Sequence, residues 1–322
     1  MLNLRESESL FGKILDGELS DSDISANLIE LADRGETAEE IAGAALAMRA
    51  RMIRISAPVN AIDVCGTGGD GAHSLNVSTA VALVVAACDV PVAKHGNRAA
   101  SSKAGAADTL EALGLNLDRA SQTAEATLAD LGICFLFAQN HHPALGRLAP
   151  IRKALGRRTI FNLLGPLCNP AGVTRQLIGV ARPDVMPAYA GALALLGYED
   201  AMLVAGDEPL DELSVSGPSS VIRVSSVIAS DAWQSRLSAA DAGLATHPPE
   251  ALRGGDAAYN AAALRRMLLG ETGAYRDAVL LNSAAALMVA GEVTEWRDGV
   301  EEAAEAIDKG LALALLDCWV GY

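Results

Sequence analysis

Residues 62–79 read IDVCGTGGDGAHSLNVST, and this stretch decides the fold. The apolar run 62–65 predicts a strand, and an Ala- and Val-rich helical pattern begins near Ser78. Between them lies a glycine loop, residues 66–70, whose backbone can approach a ligand closely and turn successive N–H groups toward it. The helix start beyond it adds partial positive charge, so phosphate is the ligand that the loop favours. An ordinary strand-to-helix turn is the alternative.

Short apolar runs and longer Ala-rich patterns alternate beyond this unit. Further strands are predicted at residues 90–93, 133–138, 177–181 and 202–205, and further helices near 256–269, 278–290 and 300–316. In the first sixty residues, Ser20 with Asp23 and Thr37 with Glu40 have the spacing of helix starts. Strands separated by helices need crossover connections, so the sequence predicts an α/β fold with a mostly parallel sheet.

The composition limits the possible functions. The 322 residues carry 25 Lys and Arg against 40 Asp and Glu, a net charge of −15, which argues against a nucleic-acid or anionic-membrane surface. Hydrophobic residues make up 51% and aromatic residues 4%, so we expect a large core built from small aliphatic side chains. The longest apolar run, 80–88, is too short to cross a bilayer. Without a recognisable secretion signal or paired-cysteine motif among five cysteines, we expect a reduced, cytoplasmic protein.

Two polar segments follow the first two predicted strands. Residues 76–79 (NVST) lie at a helix start, where they can cap the helix and also bind phosphate or metal-bound oxygen. Residues 94–98 (KHGNR) come after the strand 90–93, where ligand loops lie in open parallel sheets. The two cations of this segment indicate an anion clamp, with Ser101 and Ser102 as further donors. A surface turn is the alternative.

Carboxylates and cations cluster further along the chain. Asp211 and Glu212 are adjacent hard oxygen ligands that suit loosely held Mg²⁺, although Asp207 and Glu208 compete for that role and a solvated acidic turn is possible. A basic cluster lies within residues 143–172 and indicates either an anionic ligand or a solvated helix. Its members are Arg147, Arg152, Lys153, Arg157 and Arg158.

Several catalytic motifs are absent from the sequence. The glycine loop is neither G-x-x-x-x-G-K-[ST] nor G-x-G-x-x-G, and no G-x-S-x-G or H-E-x-x-H occurs. Cys65 adjoins the loop without an activating base, so we interpret it as a small buried hydrophobe. These absences argue against P-loop, dinucleotide-binding, hydrolase and zinc-protease functions.

Five segments in one order resemble the motifs of the anthranilate phosphoribosyltransferase family. They are residues 63–70, 76–79, 94–98, 161–170 (FNLLGPLCNP) and 210–212 (LDE), and the similarity continues through residues 276–282. The resemblance implies a small helical N-terminal domain, residues 1–60, completed by helices from about 143–172. It also implies a large α/β domain of the nucleoside phosphorylase type, residues 61–142 and 173–322. Family members commonly form homodimers.

The resemblance also implies a reaction and its site. The amine of anthranilate would displace diphosphate from C1 of 5-phosphoribosyl 1-diphosphate, with Mg²⁺ as cofactor, in tryptophan biosynthesis. The residues implied for 5-phosphoribosyl 1-diphosphate are Gly66, Gly69, Asp70, Ser74, Asn76, Val77, Ser78, Thr79, Lys94, His95, Gly96, Asn97, Arg98, Ser101, Ser102 and Ala106. Those implied for anthranilate are Gly66, Asn97 and Arg152, and those for the metal are Ser78, Asp211 and Glu212.

No covalent catalysis is implied, and His95 is a candidate proton acceptor. The sequence departs from the family pattern at Ala205 and Pro209, before the LDE motif, and at Ala106, where Ser is common.

Two other functions compete with this one. A pyrimidine nucleoside phosphorylase shares the fold, but it normally carries a further C-terminal domain and does not explain Arg152 together with residues 162–170. A protein that binds phosphoribosyl compounds without catalysis is the second alternative. Lys94, Asp211 and Glu212 are all present, which argues against it.

Overall fold

The computed structural model describes residues 1–99, 103–208, 210–226 and 233–322. Three N-terminal helices, α1 (Leu4–Asp16), α2 (Asp21–Arg34) and α3 (Ala38–Arg49), begin the chain. Ser20 and Thr37 are the N-caps of α2 and α3, which confirms both predicted helix starts. Each hydroxyl accepts a hydrogen bond from the backbone nitrogen three residues on, satisfying a donor that the helix leaves unpaired.

Glu40 ties these three helices together from a buried position. Its carboxylate accepts hydrogen bonds from the guanidinium of Arg34 on α2, and from the backbone nitrogens of Leu2 at 2.7 Å and Thr37 at 3.0 Å. A buried carboxylate is tolerated only when it is paired and hydrogen-bonded, so this network is part of what fixes the helical unit.

A twisted sheet forms the centre of the large part of the chain. In the described residues its strand order is β3-β2-β1-β4-β5-β6-β7, with β1 to β5 parallel and the last two antiparallel. The strands are β1 (Ile62–Gly66), β2 (Val92–Gly96), β3 (Ile133–Phe137), β4 (Arg175–Gly179), β5 (Asp200–Gly206), β6 (Ser219–Ser225) and β7 (Trp233–Leu237). The predicted fold class, a helical N-terminal part with a mostly parallel α/β part, is therefore confirmed.

Helices and short turns connect these strands. The helices are α4 (Val77–Ala86), α5 (Ala106–Ala112), α6 (Leu117–Gln122), α7 (Ala124–Leu131), α8 (Ala138–His141), α9 (Ala149–Leu155), α10 (Leu164–Leu167), α11 (Met186–Leu195), α12 (Ala257–Leu268), α13 (Ala274–Ala290), α14 (Trp296–Asp308) and α15 (Leu311–Gly321). The 3₁₀ turns are Pro143–Leu148, Ile160–Asn162, Pro183–Val185, Ala239–Ala242 and Pro249–Leu252. None of the helices in the described ranges is long and apolar enough to cross a membrane.

Both faces of the sheet are covered. Leu177 packs into a large core with α4 and α13, whereas its neighbour Ile178 packs into a second core with the N-terminal helices and α11. Successive residues of a strand point to opposite faces, so β4 contributes to both cores. The chain continues from β1 to β2 on one side and returns to β4 on the other. The crevice outside the carboxyl ends of β1 and β4 is therefore the place where such sheets bind ligands.

The structure differs from the predicted elements in several places. β2 begins two residues later than predicted and runs through Gly96, and β4 lies two residues earlier. The antiparallel strands β6 and β7 were not predicted. The helical run near 300–316 is two helices, because Gly310 adopts a left-handed conformation with φ of 73° and ends the first one.

Candidate functional site

The glycine loop lies at the carboxyl end of β1, as predicted. Gly68 and Gly69 have φ angles of 69° and 73°, a left-handed conformation that favours glycine. The backbone nitrogen of Gly68 donates to the Asp211 carboxylate at 2.7 Å, and that of Thr67 donates to the Gly179 carbonyl at 2.8 Å. The loop is therefore joined to both β4 and the segment that follows β5.

Two glycines make room for Asp211. A Cβ placed on Gly66 would lie 2.2 Å from the Asp211 Oδ2, and one placed on Gly179 would lie 1.6 Å from the Asp211 carbonyl oxygen. Gly66 and Gly179 are paired across β1 and β4, so the acidic segment rests on a floor without side chains. Gly179 was not among the predicted site residues. The sequence placed it inside the strand predicted at 177–181, so its position at the end of β4, beside the glycine loop, is evident only in the fold.

Three carboxylates converge here. The backbone nitrogen of Asp211 donates to Asp70 at 3.3 Å, and Glu212 accepts a bond of 3.1 Å from the nitrogen of Ser78. Burial and then repulsion from Asp70 raise the pKa of Asp211 to about 7. Burial and then repulsion from Asp211 raise the pKa of Glu212. The three carboxylates are half-buried, and their mutual repulsion exceeds the compensation that the cations of the chain give.

Asp207 and Glu208, the acidic pair that competes for the metal role, are bonded to other residues. Asp207 accepts a bond of 2.6 Å from the exposed Arg236, and Glu208 accepts one from the hydroxyl of Ser214. Of the two adjacent pairs in the sequence, Asp211 and Glu212 are therefore the one that faces the glycine loop.

Lys94 lies within β2, not in the loop predicted after a strand ending at residue 93. Its side chain is 1% exposed, and its ammonium donates to the Val64 carbonyl at 2.7 Å and to the Ser78 hydroxyl at 3.4 Å. The sheet thus places a cation beside the start of α4 and the carboxylates.

Asn76 precedes α4, but its side chain makes no capping hydrogen bond, contrary to the capping interpretation. Its side-chain oxygen, Oδ1, accepts hydrogen bonds from Thr109 at 2.5 Å and Asn260 at 2.9 Å, and so joins α5 and α12 to the site. The hydroxyl of Thr79 is buried and has no hydrogen-bond partner among the described residues.

The sequence predicts an anion clamp in the segment that follows β2, and the cation of that segment is already paired within the chain. Asn97 is exposed, and its side chain accepts a bond from the Arg98 nitrogen. Arg98 pairs with Asp108 at 2.8 Å and Glu111 at 2.9 Å, so its charge is already compensated. Ala106 packs close to Gly96, because a Cβ placed on Gly96 would lie 3.2 Å from its side chain. Ser101, Ser102 and Pro209 lie outside the described residues.

The remaining predicted phosphate residues surround the glycine loop. The Asp70 carboxylate accepts a hydrogen bond of 3.1 Å from the backbone nitrogen of Ala72, which stabilises the turn at the end of the loop. Ser74 forms an isolated antiparallel bridge with Arg253, which brings the segment before α12 against the loop. Val77 is the first residue of α4, and its side chain packs in the core.

His95 is buried beside a second histidine. Its Nδ1 lies 3.1 Å from the Gly165 carbonyl, and its Nε2 lies 3.3 Å from the Nε2 of His142. Burial lowers the pKa of His95 to about 3 and that of His142 to about 4. Both imidazoles are therefore neutral at physiological pH, where a neutral ring with so low a pKa is a weak proton acceptor.

Asp63 connects the strands that carry these groups. Its buried carboxylate accepts hydrogen bonds from the backbone nitrogen of His95 at 3.1 Å and from the side-chain amides of Asn169 at 2.9 Å and Gln176 at 3.0 Å. These partners belong to β2, the FNLLGPLCNP segment and β4. Burial raises the pKa of the neighbouring Cys65 thiol, so Cys65 remains protonated, although it is half-buried and not fully buried as the sequence predicted.

Two arginines of the basic cluster make distinct contacts, and Arg158 is the one that reaches the glycine loop. The guanidinium of Arg152 lies 5.7 Å from the ring centre of Phe161, and burial lowers its pKa. Within the ranges that the structure describes, Arg152 makes no ion pair. Arg158, to which the sequence assigned no individual role, donates to the carbonyls of Gly68 at 2.9 Å and Gly69 at 2.8 Å.

The donor set suits a hard cation that is completed by its ligand. No group of three or more His, Cys, Asp or Glu side chains in the described part of the chain is arranged as a metal site by itself. Asp211 and Glu212 nevertheless present half-buried carboxylates of raised pKa, and Glu212 is bonded to Ser78. Mg²⁺ binds through one or two carboxylates and phosphate oxygens rather than an all-protein cage, so these residues fit it.

Comparisons with known proteins cover the whole chain. Residues 1–52 match the helical bundle domain of a glycosyl transferase family, and residues 58–313 match the a/b domain of that family. An anthranilate phosphoribosyltransferase of Novosphingobium aromaticivorans is 66% identical over 98% of this chain and 94% of its own. One of Sphingopyxis alaskensis is 64% identical over 100% of this chain and 96% of its own.

Solved structures agree with these relatives. Anthranilate phosphoribosyltransferase from Thermus thermophilus superposes with a TM-score of 0.92 at 40% identity, covering 100% of this chain and 95% of that one. The enzyme from Saccharomyces cerevisiae, solved in complex with PRPP and Mg, superposes with a TM-score of 0.90 at 29% identity, covering 99% and 93%.

Proposed function

The chain belongs to the anthranilate phosphoribosyltransferase family, and from this membership we propose how its own residues carry the reaction. The enzyme transfers the phosphoribosyl group of 5-phosphoribosyl 1-diphosphate to the amine of anthranilate and releases diphosphate, in tryptophan biosynthesis. One observation supports the site assignment above the others. The glycine loop, Lys94 and the half-buried pair Asp211 and Glu212 converge near the carboxyl ends of β1 and β4.

The diphosphate is held by the glycine loop and its surroundings. The N–H groups of Thr67 and Gly68 already bond Gly179 and Asp211, so those of Gly69 and Asp70, the start of α4 and the hydroxyls of Ser78 and Thr79 supply the donors for phosphate oxygens. Lys94 contributes a fixed positive charge nearby. As the bond from C1 to the diphosphate oxygen breaks, negative charge grows on the leaving group, and donors that are already oriented stabilise it without reorganising.

Mg²⁺, the cofactor, is held by Asp211, Glu212 and the Ser78 hydroxyl in this proposal. When bound, it neutralises part of the charge on the diphosphate. The two carboxylates gain the positive charge that their burial calls for, and Gly66 and Gly179 keep them close to the loop.

Anthranilate is oriented by Arg152. Its guanidinium is partly buried, is free of any ion pair in the described ranges and lies over Phe161, so it can bind the anthranilate carboxylate through two parallel hydrogen bonds. That pairing leaves the adjacent amine directed toward C1. Because an aromatic amine is already nucleophilic, no group needs to remove its proton before attack, and the proton passes to the departing diphosphate or to water once the bond from nitrogen to C1 has formed. Asn97 adds an exposed amide at the same crevice.

The proposed domain division groups a later segment of the chain with the N-terminal helices. Residues 1–60 with 143–172 form the helical domain in this proposal, and residues 61–142 with 173–322 form the α/β domain. Ile151, Ile160 and Phe161 share a buried cluster with Phe11 and Leu28 of the N-terminal helices, which supports the inclusion of the later segment.

A cytoplasmic homodimer is the final part of the proposal. All five cysteines are unpaired, which suits a reducing compartment. An open groove between α1 and α2, lined by Leu10, Leu19 and several charged residues, is a surface that a second copy would cover. Light scattering coupled to size exclusion tests the mass in solution, and cell fractionation tests the compartment.

The reaction is tested by the fluorescence of anthranilate. We expect its loss after addition of 5-phosphoribosyl 1-diphosphate with Mg²⁺, and no loss with excess chelator. If fluorescence is unchanged although calorimetry detects binding of 5-phosphoribosyl 1-diphosphate, the acceptor is another molecule or the protein only binds. Chelator-resistant loss would contradict the role of the metal.

A further inference from the structure

Arg158 is the one residue that reaches the glycine loop from the segment between α9 and the 3₁₀ turn Ile160–Asn162, among the residues that the structure describes. Its Nη1 donates to two successive carbonyl oxygens, those of Gly68 at 2.9 Å and Gly69 at 2.8 Å. The guanidinium therefore holds two consecutive peptide groups of the loop and helps to fix its shape.

The fit between Arg158 and the loop is close. A Cβ placed on Gly69 would lie 2.1 Å from the Arg158 Nη1, so no side chain is compatible with this approach. Two features therefore favour glycine at position 69: its left-handed backbone conformation, and the Arg158 guanidinium that packs where a Cβ would lie. The contact therefore fixes the position of the Arg158 guanidinium against the loop.

The second terminal nitrogen of Arg158, Nη2, makes no hydrogen bond in the described part of the chain. This nitrogen is also shielded from solvent. A shielded donor without a partner costs free energy, and a charged one costs more, so the position is suited to an acceptor that arrives with a ligand. The ionised neighbours that act on Arg158 are Asp70, Asp211 and Arg182. Two of these are the carboxylates of the proposed diphosphate and metal site.

The neighbouring residue behaves differently. Arg157 pairs with Asp33 on α2 at 2.6 Å and is exposed. Consecutive arginines therefore point to different parts of the molecule, one to the helical unit and one to the glycine loop. Gly156, with φ of 60°, ends α9 and makes the turn that separates them from Arg152.

We propose that Arg158 is a diphosphate ligand as well as a clamp on the glycine loop: Nη1 holds the carbonyls of Gly68 and Gly69, and Nη2 donates to an oxygen of the leaving diphosphate. This inference rests on the proposed diphosphate site and adds to it a residue from the helical side of the crevice. The guanidinium is necessary because one group must serve the loop and the ligand at once, and its planar fork has separate nitrogens for the two tasks.

The test uses inorganic diphosphate and anthranilate as separate probes, by calorimetry of the full-length protein in Mg²⁺. In Arg158→Lys, a single ammonium can still bond the carbonyls but cannot also serve the ligand. We expect its thermal midpoint to stay close to that of the parent, its diphosphate Kd to rise about tenfold or more, and its anthranilate Kd to change by less than about threefold. Arg158→Gln removes the charge and should weaken diphosphate binding further. Arg157→Gln, the matched control, should bind both probes as the parent does.

The possible outcomes separate this inference from the proposed function. Diphosphate binding within about twofold of the parent in Arg158→Gln would overturn it. Equal weakening of both probes, with a lowered thermal midpoint, would also overturn it, since that is the signature of a purely structural clamp. If the parent turns over both substrates yet its diphosphate binding does not depend on Arg158, the enzyme function stands and this assignment fails. If the parent itself binds no diphosphate, the proposed site fails and this inference with it.

Discussion

The Asp211 carboxylate lies directly over Gly66, with a hydrogen bond of 2.7 Å from the nitrogen of Gly68 holding it there. The position is possible because neither Gly66 nor its strand neighbour Gly179 has a side chain. A carboxylate pressed onto the loop that binds an anion would be unfavourable by itself. Its presence is explained by a cation that both the carboxylate and the anion share.

Gly179→Ala should move Asp211 away from the loop. The new Cβ would lie 1.6 Å from the Asp211 carbonyl oxygen, so the segment must shift by an ångström or more. Displacement of that size in a catalytic group commonly lowers kcat/KM by roughly a hundredfold, and we expect a loss of this order in steady-state assays. Gly146→Ala is the matched control, since a Cβ there meets nothing within 4 Å. Full activity in Gly179→Ala would show that the position of Asp211 does not matter.

Asp211→Asn combined with Glu212→Gln should remove Mg²⁺-dependent turnover while the chain stays folded. The two half-buried carboxylates repel each other, and their pKa values are raised, so their neutral replacements relieve a cost in the metal-free protein. We therefore expect the thermal midpoint in chelator at pH 8 to be equal to or above that of the parent. Asp207→Asn with Glu208→Gln, the neighbouring pair engaged elsewhere, should retain turnover. Retained turnover in the first variant would refute the metal assignment.

Arg152→Ala should affect one substrate. Without the guanidinium, the anthranilate carboxylate loses two charge-assisted hydrogen bonds, and we expect KM for anthranilate to rise about tenfold or more. KM for 5-phosphoribosyl 1-diphosphate should change by less than about threefold. Lys153→Ala tests the exposed neighbour and should alter neither constant. An equal rise in both constants would contradict the pairing with the carboxylate.

Glu40→Gln should destabilise the helical unit in a pH-dependent way. Burial would raise the pKa of Glu40, but the hydrogen bonds from Arg34, Leu2 and Thr37 outweigh it and lower the pKa from 4.5 to about 2. A depressed pKa gives stability that is present above the unfolded-state value and is lost as the pH falls from about 4.5 to 2.

The expected loss for this variant is about 3 kcal/mol in the free energy of unfolding at pH 7, by urea denaturation. The difference from the parent should shrink steadily at pH 4 and pH 3. Glu39→Gln replaces an exposed carboxylate on the same helix and serves as control. A difference that stays constant with pH would contradict the role of the ionised carboxylate.

Local patterns predicted the glycine loop, the helix starts at Ser20 and Thr37 and the parallel strands, because those signals are set by residues a few positions apart. The hairpin of β6 and β7 was not found, since a strand that returns antiparallel to β5 follows no crossover helix. Long-range contacts carried no local signal at all. The bonds of Asn76 to Thr109 and Asn260, and the reach of Arg158 to Gly68, depend on where the folded chain brings distant segments.

The boundary of β2 shows a subtler limit. Lys94 and His95 looked like loop residues because polar side chains usually end a buried strand. The Val64 carbonyl and the Ser78 hydroxyl accept bonds from the Lys94 ammonium, and the His95 Nδ1 lies 3.1 Å from the Gly165 carbonyl, so burial of both side chains becomes acceptable. These partners come from β1, α4 and α10, and only the assembled fold supplies them.

The spacing of these contacts along the chain has a consequence for biosynthesis of the protein itself. Gly68 meets Asp211 across 143 residues, Ser78 meets Glu212 across 134, and Arg158 meets Gly68 across 90. On the ribosome the loop therefore emerges long before its acidic partners, and no nascent chain shorter than 212 residues can hold a complete site. Closing such long loops carries an entropic cost that only the finished sheet and its two cores repay.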